Sequence, residues 1–154
     1  MSEMLELSPQ HLAASDNKRE AFAQLASLMD NMDTRFELPV QHYLAPGLYG
    51  RRVFMPAGSC VVSRIHKYEH ITVALTGRCL VVDADNQQTL VQAPAVFVTK
   101  PGMQRALWME TDCEWLTVHA ADIDDAEAAK DLLTCTTFEA YEAFIAALPS
   151  PEDA

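Results

Sequence analysis

The chain has 154 residues, of which 49% are hydrophobic and 21% charged, a composition typical of one globular domain with its own core. Its formal net charge of −11 argues against binding nucleic acid through phosphate neutralisation and against docking on an anionic membrane. The N-terminus lacks the pattern of a signal peptide, and no apolar run approaches the ~20 residues that span a bilayer. We therefore expect a cytoplasmic protein.

The N-terminal part of the sequence has helical periodicity. Residues 9–32 are predicted to form one helix, because Pro9 suits a first turn and apolar residues recur at helical spacing. Pro39, Pro46 and Gly47 then predict an irregular segment between this helix and the strands that follow.

The middle of the sequence, from about Tyr49 to His119, consists of short β-rich runs separated by turn residues. Strands this short and this regularly interrupted are typical of a sandwich or barrel and not of a βαβ sheet. The predicted strands cover 51–55, 60–65, 71–75, 79–82, 89–92, 96–99, 104–109 and 114–119.

The C-terminal part returns to helical patterns. Acidic residues at the start of 122–133 favour a helix N-terminus, and 136–148 carries an apolar stripe ended by Pro149. These two predicted helices either pack on the outside of the strands or pair between two subunits.

The most specific pattern lies between Gly58 and Gly77. Five residues separate Gly58 from Arg64, and one separates Arg64 from His66. Three residues separate His66 from His70, and six separate His70 from Gly77. This spacing resembles the first motif of the cupin superfamily, whose two histidines and one glutamate point into a small jelly-roll barrel. Arg64 stands in place of the first histidine, His66 matches the second, and His70 stands in place of the glutamate.

A weaker second motif supports the same resemblance. Pro101-Gly102 has the expected spacing, with Arg105 in place of the third histidine and Met109 in place of an asparagine. The chain also resembles small single-domain cupins of bacteria and their phages, whose biochemical activity is generally unassigned. This likeness rests on the sequence segment that ends at His70 and on the predicted strand that ends at His119.

The resemblance implies a mainly β fold, a jelly-roll (cupin) β-barrel with an N-terminal helix and C-terminal helices. We expect a single domain over 1–154, in which 8–38 forms a helical extension, 42–120 the barrel and 121–148 the C-terminal helices. A homodimer is the expected assembly.

The predicted metal ligands are His66, His70 and His119. Arg64 and His66 lie two residues apart and so are predicted to share a strand face. Family geometry implies that this face looks into the barrel, with His70 entering from the next strand. Trp115, Thr117 and His119 alternate along one strand and so share a face. Neutral imidazoles that leave one position open suit Zn²⁺, Fe²⁺, Ni²⁺ or Mn²⁺.

Two arginines complicate this metal site. Arg64 and Arg105 keep their charges, so they would repel a divalent cation unless a carboxylate intervenes, and Glu69 is the nearest one in sequence, as a ligand or as a partner of Arg64. The same guanidinium groups would favour an anionic ligand through bidentate pairing. Predicted ligand-binding residues are Arg64, Glu69, Arg105, Trp115 and Thr117.

The sequence leaves several functions open. The leading hypothesis is a cupin-type protein that binds a divalent metal, a small anionic ligand, or both. Alternatively, His66 and His70 are interior polar residues held by Glu69 and hydroxyl groups. A metal-free enzyme with His70 as general base is a third reading. The rival from another class is a non-catalytic interaction protein, of a kind that phages encode, whose acidic surface acts on a host factor.

Overall fold

Strands dominate the computed structural model, which describes residues 8–14, 17–32, 36–84 and 88–149. Within those residues there are eleven strands and four helices. The strands are β1 Val40–Ala45, β2 Leu48–Met55, β3 Cys60–Val62, β4 Ile65–His66, β5 His70–Thr76, β6 Arg78–Asp83, β7 Thr89–Gln92, β8 Ala95–Thr99, β9 Arg105–Met109, β10 Cys113–His119 and β11 Thr134–Cys135. The helices are α1 Pro9–Ala14, α2 Lys18–Asp30, α3 Ala126–Leu133 and α4 Phe138–Ala147.

All strand pairings in the described residues are antiparallel. A five-stranded sheet has the order β1-β2-β10-β5-β8, a four-stranded sheet the order β3-β9-β6-β7, and β11 pairs with β4. The predicted mainly β, jelly-roll fold class is confirmed. The expectation of a closed barrel needs correction, because the two larger sheets face each other as a sandwich and do not close.

The core lies between the two larger sheets. Side chains alternate across each strand, so every second residue of β2, β5 and β10 points towards β6 and β9. Burying these apolar groups drives the sheets together. The core residues are Met55, Ala74, Cys113 and Trp115 from the first sheet, and Cys79, Val81, Leu107 and Met109 from the second.

The N-terminal helices cover the outer face of the four-stranded sheet. Phe22 and Leu25 of α2 pack against Val82 and Ala106. The prediction of one helix over 9–32 is wrong, because the chain forms α1 and α2 as separate helices. The side chain of Asn17 accepts a hydrogen bond from the amide of Glu20 and so caps the start of α2.

The C-terminal segment packs against one end of the sandwich. Ala129 and Leu133 of α3 bury the ring of Tyr49, and Phe144 of α4 meets Tyr68 edge-on with ring centroids 5.6 Å apart. These helices pack within the chain, whereas a homodimer and the three-part division of the domain stay predictions. No helix among the described residues is long and apolar enough to cross a membrane.

The prediction of an irregular segment before Tyr49 is wrong for residues 40–45, which form β1. Pro46 and Gly47 are the two residues of a hairpin turn, with Ala45 paired to Leu48 and Gly47 at φ +73°. Proline suits the first central position of such a turn and glycine the second. The residues that indicated a break therefore connect two strands.

The two glycines that frame the first motif adopt the left-handed backbone conformation for different reasons. Gly77 has φ +87°, and a Cβ at this position would lie 2.1 Å from the carbonyl oxygen of Asp112 and 2.7 Å from Sγ of Cys113. Gly58 has φ +81°, but its Cβ would meet nothing within 4 Å. Only Gly77 is thus required both by its φ and by the close approach of β10.

Gly77→Ala should therefore destabilise the protein more than Gly58→Ala. We expect Gly58→Ala to lower the free energy of unfolding by about 1–2 kcal/mol, the cost of a left-handed non-glycine residue. Gly77→Ala should cost more than about 3 kcal/mol, because a backbone atom must also move. Urea denaturation of both variants measures the difference, and equal losses would contradict the proposed contact with β10.

Candidate metal and ligand site

Three histidines meet at one end of the sandwich, under the C-terminal segment. His119 ends β10 and His70 begins β5, and their rings stack with centroids 4.1 Å apart. His66 of β4 places its ring 4.6 Å from that of His70. The structure thus brings together all three residues that the sequence predicted as metal ligands, while their role stays a prediction.

Each of these histidines has a buried nitrogen without a hydrogen-bond partner. The atoms are Nδ1 of His66, Nε2 of His70 and Nδ1 of His119. Nδ1 of His70 lies 3.0 Å from the carbonyl oxygen of Tyr68, so it donates its proton there and leaves the lone pair on Nε2. A buried polar atom without a partner costs about 1–3 kcal/mol, so three in one cluster indicate that something else satisfies them.

The surroundings keep the three rings neutral. Burial, together with the nearby His70, Arg105, His119 and Arg51, lowers the pKa of His66 to about 3. Burial, with His70 and Arg51, lowers the pKa of His119 to about 4. Burial also lowers the pKa of His70, against the opposing hydrogen bond to the carbonyl of Tyr68. The neutral imidazole is the form that binds metals.

Arg105 supplies a buried positive charge beside the histidines. Its side chain is only 9% exposed, and its Nη1 donates to Oγ1 of Thr99 at 2.9 Å. That oxygen in turn lies 2.6 Å from Oγ1 of Thr72. Burial lowers the pKa of Arg105 and Asp83 raises it, and a guanidinium keeps its proton in either case.

Arg51 is a second cation that sequence reasoning missed. It pairs with Thr117 across β2 and β10 and shares the inward side of β2 with Tyr49. Although its side chain is exposed, its charge lowers the pKa of both His66 and His119. Alternation shows that only one of two successive strand residues points inward, but it does not say which one.

Arg64 and Glu69 both pair with charged groups outside the histidine cluster. Nη2 of Arg64 is 3.1 Å from Oδ1 of Asp131 on α3. Glu69, more than half exposed, places Oε1 2.8 Å from Nζ of Lys100, so the expected pairing of Glu69 with Arg64 is wrong. The reason is local: β3 ends and β4 begins on either side of Arg64, so strand alternation does not carry from Arg64 to His66.

The other two predicted ligand-binding residues lie further along β10. Trp115 belongs to the core and meets Phe97 edge-on, with ring centroids 5.5 Å apart. Thr117 is half-buried and pairs with Thr72 and Arg51, one row from the histidines. Trp115 therefore stabilises the sandwich, and only Thr117 borders the polar end.

The ring spacing tests whether the histidines fit a metal ion. In the described residues, no three His, Cys, Asp or Glu side chains are arranged to hold one as they stand. With a metal–nitrogen bond of about 2.1 Å, two imidazoles sharing a metal have centroids about 5 Å apart at a tetrahedral angle and about 4.5 Å apart at a right angle. The 4.6 Å between His66 and His70 is near the right-angle value. The rings of His70 and His119 are stacked at 27° with centroids 4.1 Å apart, so the His119 ring must both shift and turn before the two lone pairs can meet at one ion.

Comparison with known proteins gives a structural likeness. No protein-family model matches this chain, and neither does any curated protein sequence. Among solved structures, it is similar to an RmlC-like cupin from Methanocaldococcus jannaschii (9% identity, 58% of this chain and 84% of that chain covered, TM-score 0.46). It is also similar to a cupin superfamily protein from Desulfitobacterium hafniense (14%, 64% and 88%, 0.47) and to a predicted oxalate decarboxylase from Thermotoga maritima (22%, 57% and 84%, 0.46).

Two of these solved structures carry the name of the superfamily that the first motif resembles. At these identities and TM-scores, the likeness assigns this chain no metal, ligand or activity.

The lowered histidine pKa values predict that the protein becomes less stable as the pH falls. The unfolded chain takes up protons near pH 6.5, whereas folded His66 and His119 do so only near pH 3 and pH 4. Stability is therefore complete above pH 6.5 and is lost as the pH falls below it, by on the order of 1 kcal/mol per pH unit for each of the two. Urea denaturation at pH 7, 6 and 5 with a chelator present measures this loss.

A His66→Gln/His119→Gln double variant provides the control for this pH dependence. It should lose less stability between pH 7 and pH 5 than the wild type, because glutamine does not titrate. An unchanged pH dependence in the double variant would contradict the assignment of the effect to these two rings.

Proposed function

We propose that this chain binds a divalent metal ion through His66, His70 and His119, and a small anionic ligand beside it. The observation that carries the proposal is the set of three buried imidazole nitrogens without partners on contacting rings. A metal ion bound by all three rings would satisfy these nitrogens, once the rings have moved from the positions they have here. When bound, such an ion supplies a Lewis-acidic centre with open positions for a ligand.

The chain's own residues prepare this site in two ways. The hydrogen bond from Nδ1 of His70 to the carbonyl of Tyr68 fixes the ring and directs Nε2 away from that carbonyl. Burial keeps the imidazoles neutral, so no proton has to leave before a metal binds near pH 7. Three neutral imidazoles suit Zn²⁺, Fe²⁺, Ni²⁺ or Mn²⁺.

The anionic ligand follows from the balance of charge at this end of the sandwich. Arg105 and Arg51 both act on the histidines, and Asp83 is the carboxylate that acts on Arg105. A metal ion would add two further positive charges. A carboxylate or phosphate would offset them, and Arg105 can bind such a group through two parallel hydrogen bonds.

Metal titration tests the first half of the proposal. Chelator-treated protein should bind about one equivalent of Mn²⁺ or Ni²⁺ in isothermal titration calorimetry, and a His66→Ala/His70→Ala double variant should bind none. His42→Ala, which removes an imidazole bonded to the hydroxyl of Tyr49 and not part of the cluster, should keep the metal. A folded wild-type protein without a binding isotherm, or a double variant that retains the metal, would contradict the proposal.

Substitution of Arg105 tests the second half. Arg105→Gln should weaken oxalate binding to the metal-loaded protein by at least about 10-fold, since one charge-assisted bidentate contact is lost. Arg78→Gln is the matched control, because Arg78 pairs with Glu110 at the surface. Arg105→Lys retains the charge and checks folding, and it should bind more weakly than the wild type. Equal oxalate affinity in wild type and Arg105→Gln would contradict the role of Arg105.

A further inference from the structure

The outer face of the five-stranded sheet is apolar, whereas the outward side of an antiparallel sheet is commonly polar. Trp115 and Ala74 pair across β10 and β5 and point into the core. Leu116 and Val73, the next pair along, therefore point outwards. The same alternation holds along β1, β2 and β8. The exposed large side chains of this face are Tyr43, Leu48, Ile71, Leu75, Val96 and Val98.

The apolar surface is continuous across the strands. A row of cross-strand partners runs from one edge of the face to the other: Val98, Ile71, Val118, Gly50 and Tyr43. Gly50 leaves no gap in this row, because a Cβ there would lie 3.2 Å from Cβ of Tyr43 and 3.7 Å from Cδ1 of Leu116. The face therefore offers one unbroken apolar surface from β8 to β1.

This face is neutral, although the chain has a net charge of −11. Among the described residues, the outward positions of its five strands hold one carboxylate and one guanidinium, Glu114 and Arg52, and these two form an ion pair. Few charges and many apolar side chains are the composition of the central part of a protein interface. The face is thus suited to another neutral, apolar surface.

The helices of the described part of the chain pack on other surfaces. The N-terminal helices cover the four-stranded sheet, and α3 and α4 pack at one end of the sandwich. Val96, on the edge strand β8, is 69% exposed. An apolar surface of this extent on a monomer marks an interaction site.

The size of the face suits one half of a dimer interface. Five strands about 4.8 Å apart, each with about six residues at about 3.4 Å per residue, give a footprint of roughly 24 Å by 20 Å. The relief of the side chains raises its accessible area towards the about 800 Å² that each partner buries in a standard interface. A broad sheet face fits another sheet, and a two-fold axis between two copies pairs the face with itself.

We propose that this outer face is the interface of a homodimer, in which two copies pack their five-stranded sheets against each other. The contact repeats the packing of the core, with the two sheets about 10 Å apart. A second copy fits better than an anionic membrane, which the charge of −11 opposes. The interface is independent of the metal site, since His70 is buried on the side of β5 opposite to Ile71.

Analytical ultracentrifugation over a dilution series tests this interface. The wild type should sediment with twice the 17.1 kDa of one chain. Ile71→Glu/Val98→Glu should weaken the dimer at least about 100-fold, because like charges then meet where apolar side chains were buried. Leu90→Glu is the matched control and should leave the dimer intact. Leu90 lies on β7 of the other sheet and is 44% exposed, against 46% for Ile71.

Circular dichroism checks that the double variant is folded. Should it not fold, Ile71→Thr/Val98→Thr is the milder variant, since threonine keeps the β-branched shape that strands favour. It should also weaken the dimer, by at least about 10-fold, because less apolar area leaves water on association.

The ion pair of the face provides a second test. Arg52→Glu should weaken the dimer at least about 10-fold, because it leaves unpaired carboxylates in the interface. Arg52→Glu/Glu114→Arg restores a neutral pair and should recover most of the lost affinity. A swapped pair that dimerises no better than Arg52→Glu would contradict the requirement for a neutral face.

Two further results would overturn the proposal. A wild type that stays monomeric throughout the dilution series excludes the dimer, and binding of that monomer to phosphatidylcholine vesicles would assign the face to a membrane. A dimer that persists with unchanged affinity in Ile71→Glu/Val98→Glu would place the contact on another surface.

Discussion

The pairing of β10 with both β2 and β5 is the interaction on which the candidate site depends. It aligns Tyr49 with His119 and brings His119 beside His70, while Thr117 of the next row pairs with Thr72. Apolar residues further along the same strands hold the two sheets together. The polar end is therefore built on a rigid core, so its buried imidazoles stay in place although they lack partners. The stability of the core offsets that cost, which a bound ligand would remove.

Much of the fold could be predicted from sequence because its strands are short, β-rich and separated by turn residues. The framing glycines were equally informative, since Gly58, Gly77 and Gly102 all adopt positive φ. The wrong predictions share a physical cause, because the residue types that end helices and strands also form the turns and caps that connect them. Pro46 and Gly47 form a hairpin turn, and the cap at Asn17 divides what looked like one helix.

The candidate site could be predicted only where motif spacing or strand alternation fixes the position of one residue relative to another. Motif spacing and strand alternation selected His66, His70 and His119, and the structure brings them together. Alternation failed at Arg64, because the chain leaves β3 before that residue and re-forms a strand after it. No sequence pattern indicated Arg51 as a site residue. Its neighbours in the sheet depend on the pairing of β2 with β10, which the pattern of a single sequence does not specify.

The central claim is that His66, His70 and His119 form one metal site, and anomalous diffraction from crystals grown with Mn²⁺ tests it most directly. The account predicts one strong anomalous peak within about 2.2 Å of a nitrogen of each ring, with the Nδ1 hydrogen bond of His70 to Tyr68 preserved. Anomalous peaks confined to surface carboxylates, with His70 and His119 still stacked at 4.1 Å, would contradict it.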